Sequence, residues 1–197
     1  MNRDLYQEAL EEFGRRLRRG REEGLIRQPT AMTLATADDR GRPSARTVLL
    51  KDFGRDGFVF YTNRESRKGE QLAANSWAAL CFYWDPYWEQ AVVEGPVQEV
   101  SPVEADLYWV TRSRISQLGA WASRQSRPLA DRARLISEVV ACEAKYPGSD
   151  VPRPEYWSGF RVIPHRIEFW TGRSFRLNDR LLYEKTGQGW TVRRLYP

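Results

Sequence analysis

Leu5, Ala9, Phe13 and Leu17 recur at steps of four, and Glu11 with Arg15 and Glu12 with Arg16 stand one turn apart on the other side. That spacing predicts an amphipathic helix over residues 4–19, ending near Gly20. From residue 31 to about 100 the apolar runs shorten and become β-branched and aromatic: AMTLAT, SARTVLLK, FVFYT, AALCFYW and QAVVEGPVQEV, divided by turn clusters such as ADDRGRP and DFGRDG. Strands that follow one another without helices between them predict an antiparallel barrel or sandwich. Pro102 opens a predicted helix running through Tyr108 and Arg112, and Leu129, Ala133, Ile136 and Val140 mark another that stops before Tyr146-Pro147-Gly148. After the proline-stiffened DVPRPEYW, the runs RVIPHRIEFW, SFRLNDRLLYE and GWTVRRL return to strand, the first two joined by a short turn at Thr171-Gly172-Arg173. The expectation is one domain over 1–197, mainly β with peripheral helices, in which the last strands rejoin the first sheet. No repeat or low-complexity segment interrupts it.

Composition adds boundaries. At 197 residues and 41% hydrophobic, the chain suits a single core. The net charge of +5 suits anionic partners, yet 31 basic residues face 26 acidic ones, too even a balance to signal nucleic acid by itself. Cys81 and Cys142 sit in apolar runs with neither disulfide-framework nor metal spacing, which predicts reduced thiols and a cytoplasmic setting. The charged start of the chain predicts no signal peptide, and no segment approaches the ~18–20 apolar residues of a membrane span.

His165 is the single histidine, so a histidine-rich metal site is excluded and a Ser-His-Asp triad would have to run through that residue. No GxxxxGK[ST] or GxGxxG loop is present, so a phosphate must be held by side chains. YTNRESRKGEQL offers Tyr61, Thr62, Arg67 and Lys68 within eight residues. Arg46 and Lys51 bracket Thr47, Val48, Leu49 and Leu50, on opposite strand faces unless the strand bends or ends there. Alternation along RLNDRLL puts Arg176, Asn178 and Arg180 on one face, with Phe175 and Leu177 on the other. On a continuous helix Tyr108, Arg112 and Ser116 would align as hydroxyl, guanidinium and hydroxyl, a set suited to a phosphate monoester. Trp170, ending IEFW, is the first candidate to stack on a planar ligand. These features predict a planar phosphorylated ligand, a chemistry that single-stranded nucleic acid shares.

Five ordered blocks narrow this further. RTVLLK (46–51), FYTNRESRKGEQL (60–72), SQLGAWASRQS (116–126), FRVIPHRIEFW (160–170) and RLNDRLLY (176–183) together resemble the pyridoxine/pyridoxamine 5′-phosphate oxidase family, over about residues 29–197. The resemblance implies an FMN-binding split β-barrel, Greek-key and antiparallel, working as a cytoplasmic homodimer with FMN at the subunit interface. It implies flavin contacts from Arg46, Thr47, Val48, Leu49, Leu50 and Lys51, from Tyr61, Thr62, Arg67 and Lys68, and from Gln90, Trp170 and Arg180. Gln125 and Ser126 match contacts that reach from one subunit to the flavin held mainly by the other. Lys51, Tyr108, Arg112 and Ser116 match a substrate-phosphate clamp, and Arg176 the arginine over the substrate ring. The implied reaction oxidises a CH–OH or CH–NH₂ carbon of a phosphorylated pyridine, with O₂ as acceptor and H₂O₂ as product, involving neither nucleic acid nor membrane.

Three departures accompany the match. Family members usually read RLHDR where this chain has Asn178, an amide that hydrogen-bonds but does not titrate; the resemblance implies Arg176 and Asn178 as the catalytic pair. The chain is expected to lack the longer N-terminal arm that closes over substrate in many relatives, and Gln28 stands where an acidic residue is common. The alternatives are a flavin oxidase of the phenazine-biosynthesis type, acting on another reduced aromatic ring, and a flavin- or nucleic-acid-binding module without turnover.

Overall fold

Asp4 caps the first helix by accepting the Gln7 amide at 3.1 Å in the computed structural model, which describes residues 4–197. Helix α1 (Leu5–Glu22) runs past the expected stop, because Gly20 is a packing contact, with Pro29, Ile26 and Trp84 close over its missing side chain. The chain leaves the helix at Gly24, whose φ of +67° suits glycine. Phe13, fully buried on α1, meets Phe53, Phe58 and Phe82 edge-to-face at 4.8–4.9 Å. The helix thus fills the core that the strands enclose.

Those strands are β1 (Ala31–Ala37), β2 (Pro43–Leu49), β3 (Asp52–Gly54), β4 (Gly57–Asn63), β5 (Trp77–Trp84), β6 (Glu89–Glu99), β7 (Trp157–Val162), β8 (Arg166–Thr171), β9 (Asp179–Thr186) and β10 (Gly189–Leu195). Every pairing is antiparallel, and the main path runs β10-β9-β8-β6-β5-β1-β2. Beyond β2, the Lys51 amide donates to Val59 O at 2.9 Å, which brings that edge against β4 and curls the sheet toward closure. β6 belongs to both halves: its first residues pair with β8 and its last three with β7, while β7 turns away to pair with β4. The switch occurs at Ile163-Pro164-His165, where the Ile163 and His165 amides donate to Pro96 O and Glu94 O, each at 2.8 Å. Gly95 faces that corner, and a Cβ there would lie 1.9 Å from Ile163 O.

Helices α2 (Arg67–Ala74), α3 (Pro102–Trp109), α4 (Arg114–Ala122) and α5 (Arg132–Lys145) lie outside the barrel. The predicted continuous helix through Tyr108, Arg112 and Ser116 is broken. Thr111 and Arg112 amides bond three residues back to Tyr108 and Trp109, the Thr111 hydroxyl competes for Tyr108 O at 2.7 Å, and Ser113 is extended. Leu129 likewise precedes α5, whose cap is Asp131. Among the described residues, no helix is long and apolar enough to cross a membrane, and no group of three or more His, Cys, Asp or Glu could hold a metal ion.

Tyr61 on β4 is opposite Gly159 on β7, and a Cβ at 159 would lie 2.6 Å from the Tyr61 ring and 2.8 Å from Val100. Gly159→Ala is therefore expected to destabilise the fold by ~1–3 kcal/mol through overpacking, measurable as a lower urea midpoint with unchanged slope.

Candidate functional site

The end of β4 and the start of α2 assemble a cluster of cations. Lys68 is only 7% exposed, yet its ammonium donates solely to neutral oxygens: Gln125 Oε1 at 2.7 Å and Thr62 Oγ1 and Ser66 Oγ at 3.1 Å. Arg46 on β2 donates to Leu34 O at 3.0 Å, Thr36 Oγ1 at 2.7 Å, Gln71 Oε1 at 3.2 Å, and Ser44 Oγ. Among the described residues no carboxylate bonds to either cation. Burial, with Arg46 nearby adding repulsion, pushes the Lys68 ammonium down to about 8, and burial followed by the exposed Arg67 lowers the Arg46 guanidinium as well. Three cations without a counter-charge fit an anionic group such as phosphate. Gln71 was not foreseen: three residues beyond Lys68 on α2, it accepts from Thr36 at 2.6 Å, Ser44 at 2.7 Å and Arg46. The i,i+3 spacing from Lys68 is the signal that could have found it.

Beside the cluster a cleft of about 340 Å³ is lined by Tyr61, Thr62, Arg112, Ser116, Gln125 and Trp157. Tyr61 stacks on Tyr108 at 4.0 Å and on Trp157 at 5.3 Å, giving the cleft an aromatic wall. Although the helix breaks, Arg112 and Ser116 still meet: Arg112 Nη2 donates to Ser116 O at 2.9 Å, and the guanidinium lies 4.8 Å from the Trp157 ring centre. Its Nε is buried without a hydrogen-bond partner among the described residues, and burial lowers this guanidinium from its ordinary value. β2 ends at Leu49 and Leu50 turns inward, so Lys51 escapes strict alternation and places its ammonium 5.9 Å from the Tyr108 ring centre. Thr47 is exposed and Val48 packs against the core, on a strand whose ladder partner is β1 alone.

A second group lies elsewhere. Gln90, Trp170 and Arg180 are directly opposed across β6, β8 and β9 and form one file on one face. Arg180 is paired with Glu168 at 2.7 and 3.1 Å and donates to Tyr196 O. Four strand steps separate β8 from β2, about 19 Å along the sheet at the usual spacing. Gln125 belongs to the first group: it meets Lys68 and Thr62 of its own chain, without needing a partner to reach them. Ser126 follows it with φ +72°.

Arg176 and Asn178 do not share a strand face with Arg180. β9 starts only at Asp179, and Phe175 and Arg176 both occupy the left-handed region, at φ 60° and 61°, so alternation fails there. Asn178 instead closes the turn: its Oδ1 accepts the Arg173 amide at 3.0 Å, while Arg173 Nε bonds Asp179 at 2.7 Å. Arg176 is exposed and makes no hydrogen bond or ion pair among the described residues. Asn178→Ala is expected to speed hydrogen exchange of the Arg173 amide roughly three- to tenfold, and Asn178→Asp, which keeps the accepting oxygen, to leave it near wild type. His165 lies apart from both groups in its contacts: it is exposed, edge-on to Trp77 at 5.8 Å.

A family model described as pyridoxamine 5′-phosphate oxidase matches residues 21–146, and a second, the pyridoxine 5′-phosphate oxidase C-terminal dimerisation region, matches 157–197. The chain belongs to the pyridoxamine 5′-phosphate oxidase family. The pyridoxine/pyridoxamine 5′-phosphate oxidase of Myxococcus xanthus is 57% identical over 169 residues, 86% of this chain and 82% of that one. The enzyme of the same name from Alkalilimnicola ehrlichii is 50% identical over 98% of this chain and 99% of its own. Among solved structures, PhzG of Burkholderia lata in complex with tetrahydrophenazine-1-carboxylic acid superposes with a TM-score of 0.89 at 34% identity, covering 95% of this chain and 92% of the other. The family's dimerisation region spans β7 to β10 and so contains Trp170, Arg176, Asn178 and Arg180, together with Trp157 of the cleft, while Gln90 on β6 lies outside it.

Proposed function

We propose that the chain is an FMN-dependent oxidase of pyridoxine 5′-phosphate and pyridoxamine 5′-phosphate, working as a homodimer with each FMN shared between two copies. The observation that carries this is a pair of separate cationic sites without carboxylate partners among the described residues, one beside the cleft and one lining it. Lys68 with Arg46 and Arg67 suits the phosphate of FMN, and Arg112 with its unpartnered Nε suits the phosphate of the substrate. Tyr61 and Thr62 line the cofactor between them, and Gln125 and Ser126 close the phosphate end. The separation of the Gln90, Trp170 and Arg180 file from this cradle, and the place of Trp170 and Arg180 within the dimerisation region, support a flavin ring held by the partner copy. The second subunit's contribution is thus assigned to that file, while Gln125 serves its own chain.

When bound, FMN supplies the two-electron acceptor for the substrate carbon and passes the electrons to O₂. The alcohol and O₂ give aldehyde and H₂O₂; the amine, O₂ and water give aldehyde, ammonia and H₂O₂. The protein's share is positioning and charge neutralisation. Arg112, Ser116, Tyr108 and Lys51 hold the substrate phosphate, the free Arg176 faces the substrate ring, and Asn178 keeps the Arg176 turn in shape. No histidine is required. The Arg112 site favours a phosphorylated substrate over a phenazine precursor, despite the likeness to PhzG. Two free thiols suit a reducing, cytoplasmic setting.

Oxygen consumption by FMN-loaded protein tests the reading, with pyridoxine 5′-phosphate, pyridoxamine 5′-phosphate and tetrahydrophenazine-1-carboxylic acid as substrates. Turnover of the two phosphates is expected. A protein that cannot be reconstituted with FMN, or that turns over only the phenazine compound, would refute it.

A further inference from the structure

We propose that Arg16, on α1, is a positioning residue for the flavin-ring half of the site; this rests on the FMN reading above. The residue lies before position 21, where the match to the family model begins, and it belongs to no site-forming block of the sequence. Its side chain is buried, at 6% exposure, beneath the strands that carry Gln90 and Trp170. Nη1 donates to Trp170 O at 2.9 Å and to Gln90 O at 3.3 Å, and Nη2 to Thr171 Oγ1 at 3.1 Å. Nε is taken up by Glu12 at 2.7 Å, and the guanidinium stands 5.0 Å from the Phe169 ring centre.

A single planar fork therefore ties together the backbone of two residues that face each other across β6 and β8. The neighbours Ala91 and Phe169 are buried on the core side, so the Gln90 and Trp170 side chains project from the opposite face. Arg16 thus acts through the sheet, on backbone, from the core side. The rung needs such support. It lies one residue from the start of β6 at Glu89 and from the end of β8 at Thr171, where strands fray. Just past it, Gly172 N donates to Trp88 O at 2.8 Å, and the Trp88 and Trp170 indoles close over Gly172. Fixing the rung fixes the direction in which Trp170 presents its indole. Lysine could not do this, since one ammonium lacks the fork that spans both carbonyls and the Thr171 hydroxyl.

Burying a guanidinium under a sheet is unfavourable unless its charge is balanced. Glu12 does so: burial works to raise its carboxyl, but hydrogen bonds from Arg15 and Arg16 outweigh that and hold it below the usual range.

The test compares wild type with Arg16→Met and Arg16→Lys as full-length dimers. FMN affinity, the visible circular dichroism of bound flavin, and the thermal stabilisation given by inorganic phosphate are each measured. Arg16→Met is expected to weaken FMN about tenfold and reduce the flavin signal, with Arg16→Lys in between and the phosphate effect unchanged, since the cradle is untouched. FMN affinity within about twofold of wild type, with an unaltered flavin signal, would overturn the inference. So would a phosphate effect that falls in step with FMN, because Arg16 would then support the fold at large. Should Arg16→Met fail to fold, Arg16→Lys carries the same comparison with a smaller loss. A wild type that binds phosphate but never FMN refutes the oxidase reading itself, before any variant is made.

Discussion

Lys68→Met is expected to weaken FMN roughly a hundredfold or more while making the ligand-free protein melt higher at pH 7. The two effects share one cause. Removing one member of a buried charge pair costs on the order of 2–5 kcal/mol of binding, and Lys68 is the most buried cation of the cradle. Without ligand the same ammonium is a burden. Its folded value of about 8 lies below the ordinary 10.5, so the unfolded chain binds more protons between those limits, and stability rises with pH across that window. At pH 7 the charged form costs ~3 kcal/mol, and methionine, of similar length, removes that cost. Above about pH 10.5 the wild-type side chain is neutral in both states, and the advantage of the variant should vanish. Binding a dianion must draw the proton back, so near pH 8 FMN should take up roughly half a proton per site. Calorimetry in two buffers of different ionisation heat measures that uptake. No uptake, or a variant that retains wild-type FMN affinity, would show that the phosphate binds elsewhere.

Arg112→Ala is expected to raise KM for pyridoxine 5′-phosphate about ten- to a hundredfold, through loss of a charge-assisted contact of roughly 1.5–3 kcal/mol. FMN affinity should hold, because the Arg46 and Lys68 bonds do not involve this residue. Arg112→Lys should restore little: the guanidinium carbon stands 4.8 Å from the Trp157 ring centre and 5.5 Å from that of Trp109 while Nη2 bonds Ser116 O, and an ammonium cannot do both. Steady-state kinetics with flavin occupancy measured in parallel separates the outcomes. A KM that does not move would place the substrate phosphate away from the cleft.

Much of this was legible in the sequence, and the failures have physical causes. The strands were readable because β1 and β5 each bury one face and so alternate cleanly. Steps of four at Tyr108, Arg112 and Ser116 predicted a shared helix face that does not form: Thr111 and Ser113 end the helix, and the turn, rather than a face, joins Arg112 to Ser116. At Arg176 and Asn178 alternation misled, since two successive left-handed residues erase its period. Nothing local could announce that Lys68 is buried among neutral oxygens, because those oxygens arrive from β4, the α2 cap and the segment after α4. The blocks RTVLLK and RLNDRLL supplied candidate residues that periodicity alone could not separate from an ordinary polar edge.

The double allegiance of β6 has a consequence for what this chain can tolerate. One side of the strand meets β5 from Glu89 to Pro96, whereas the other is divided, Glu89 to Glu94 against β8 and Val97 to Glu99 against β7. The strand therefore acts as a ruler read at both ends: one end sets Gln90 opposite Trp170, and the other sets β7, which pairs along its far edge with β4, the strand of Tyr61 and Thr62. Deleting one residue between Val92 and Val97 would reverse inside and outside at one end while leaving the other correct, and no loop adjustment could restore both. Surface turns such as the one at Asp38 to Arg42 can change length without disturbing this frame, but the span from Gln90 to Val97 is a fixed dimension of the enzyme.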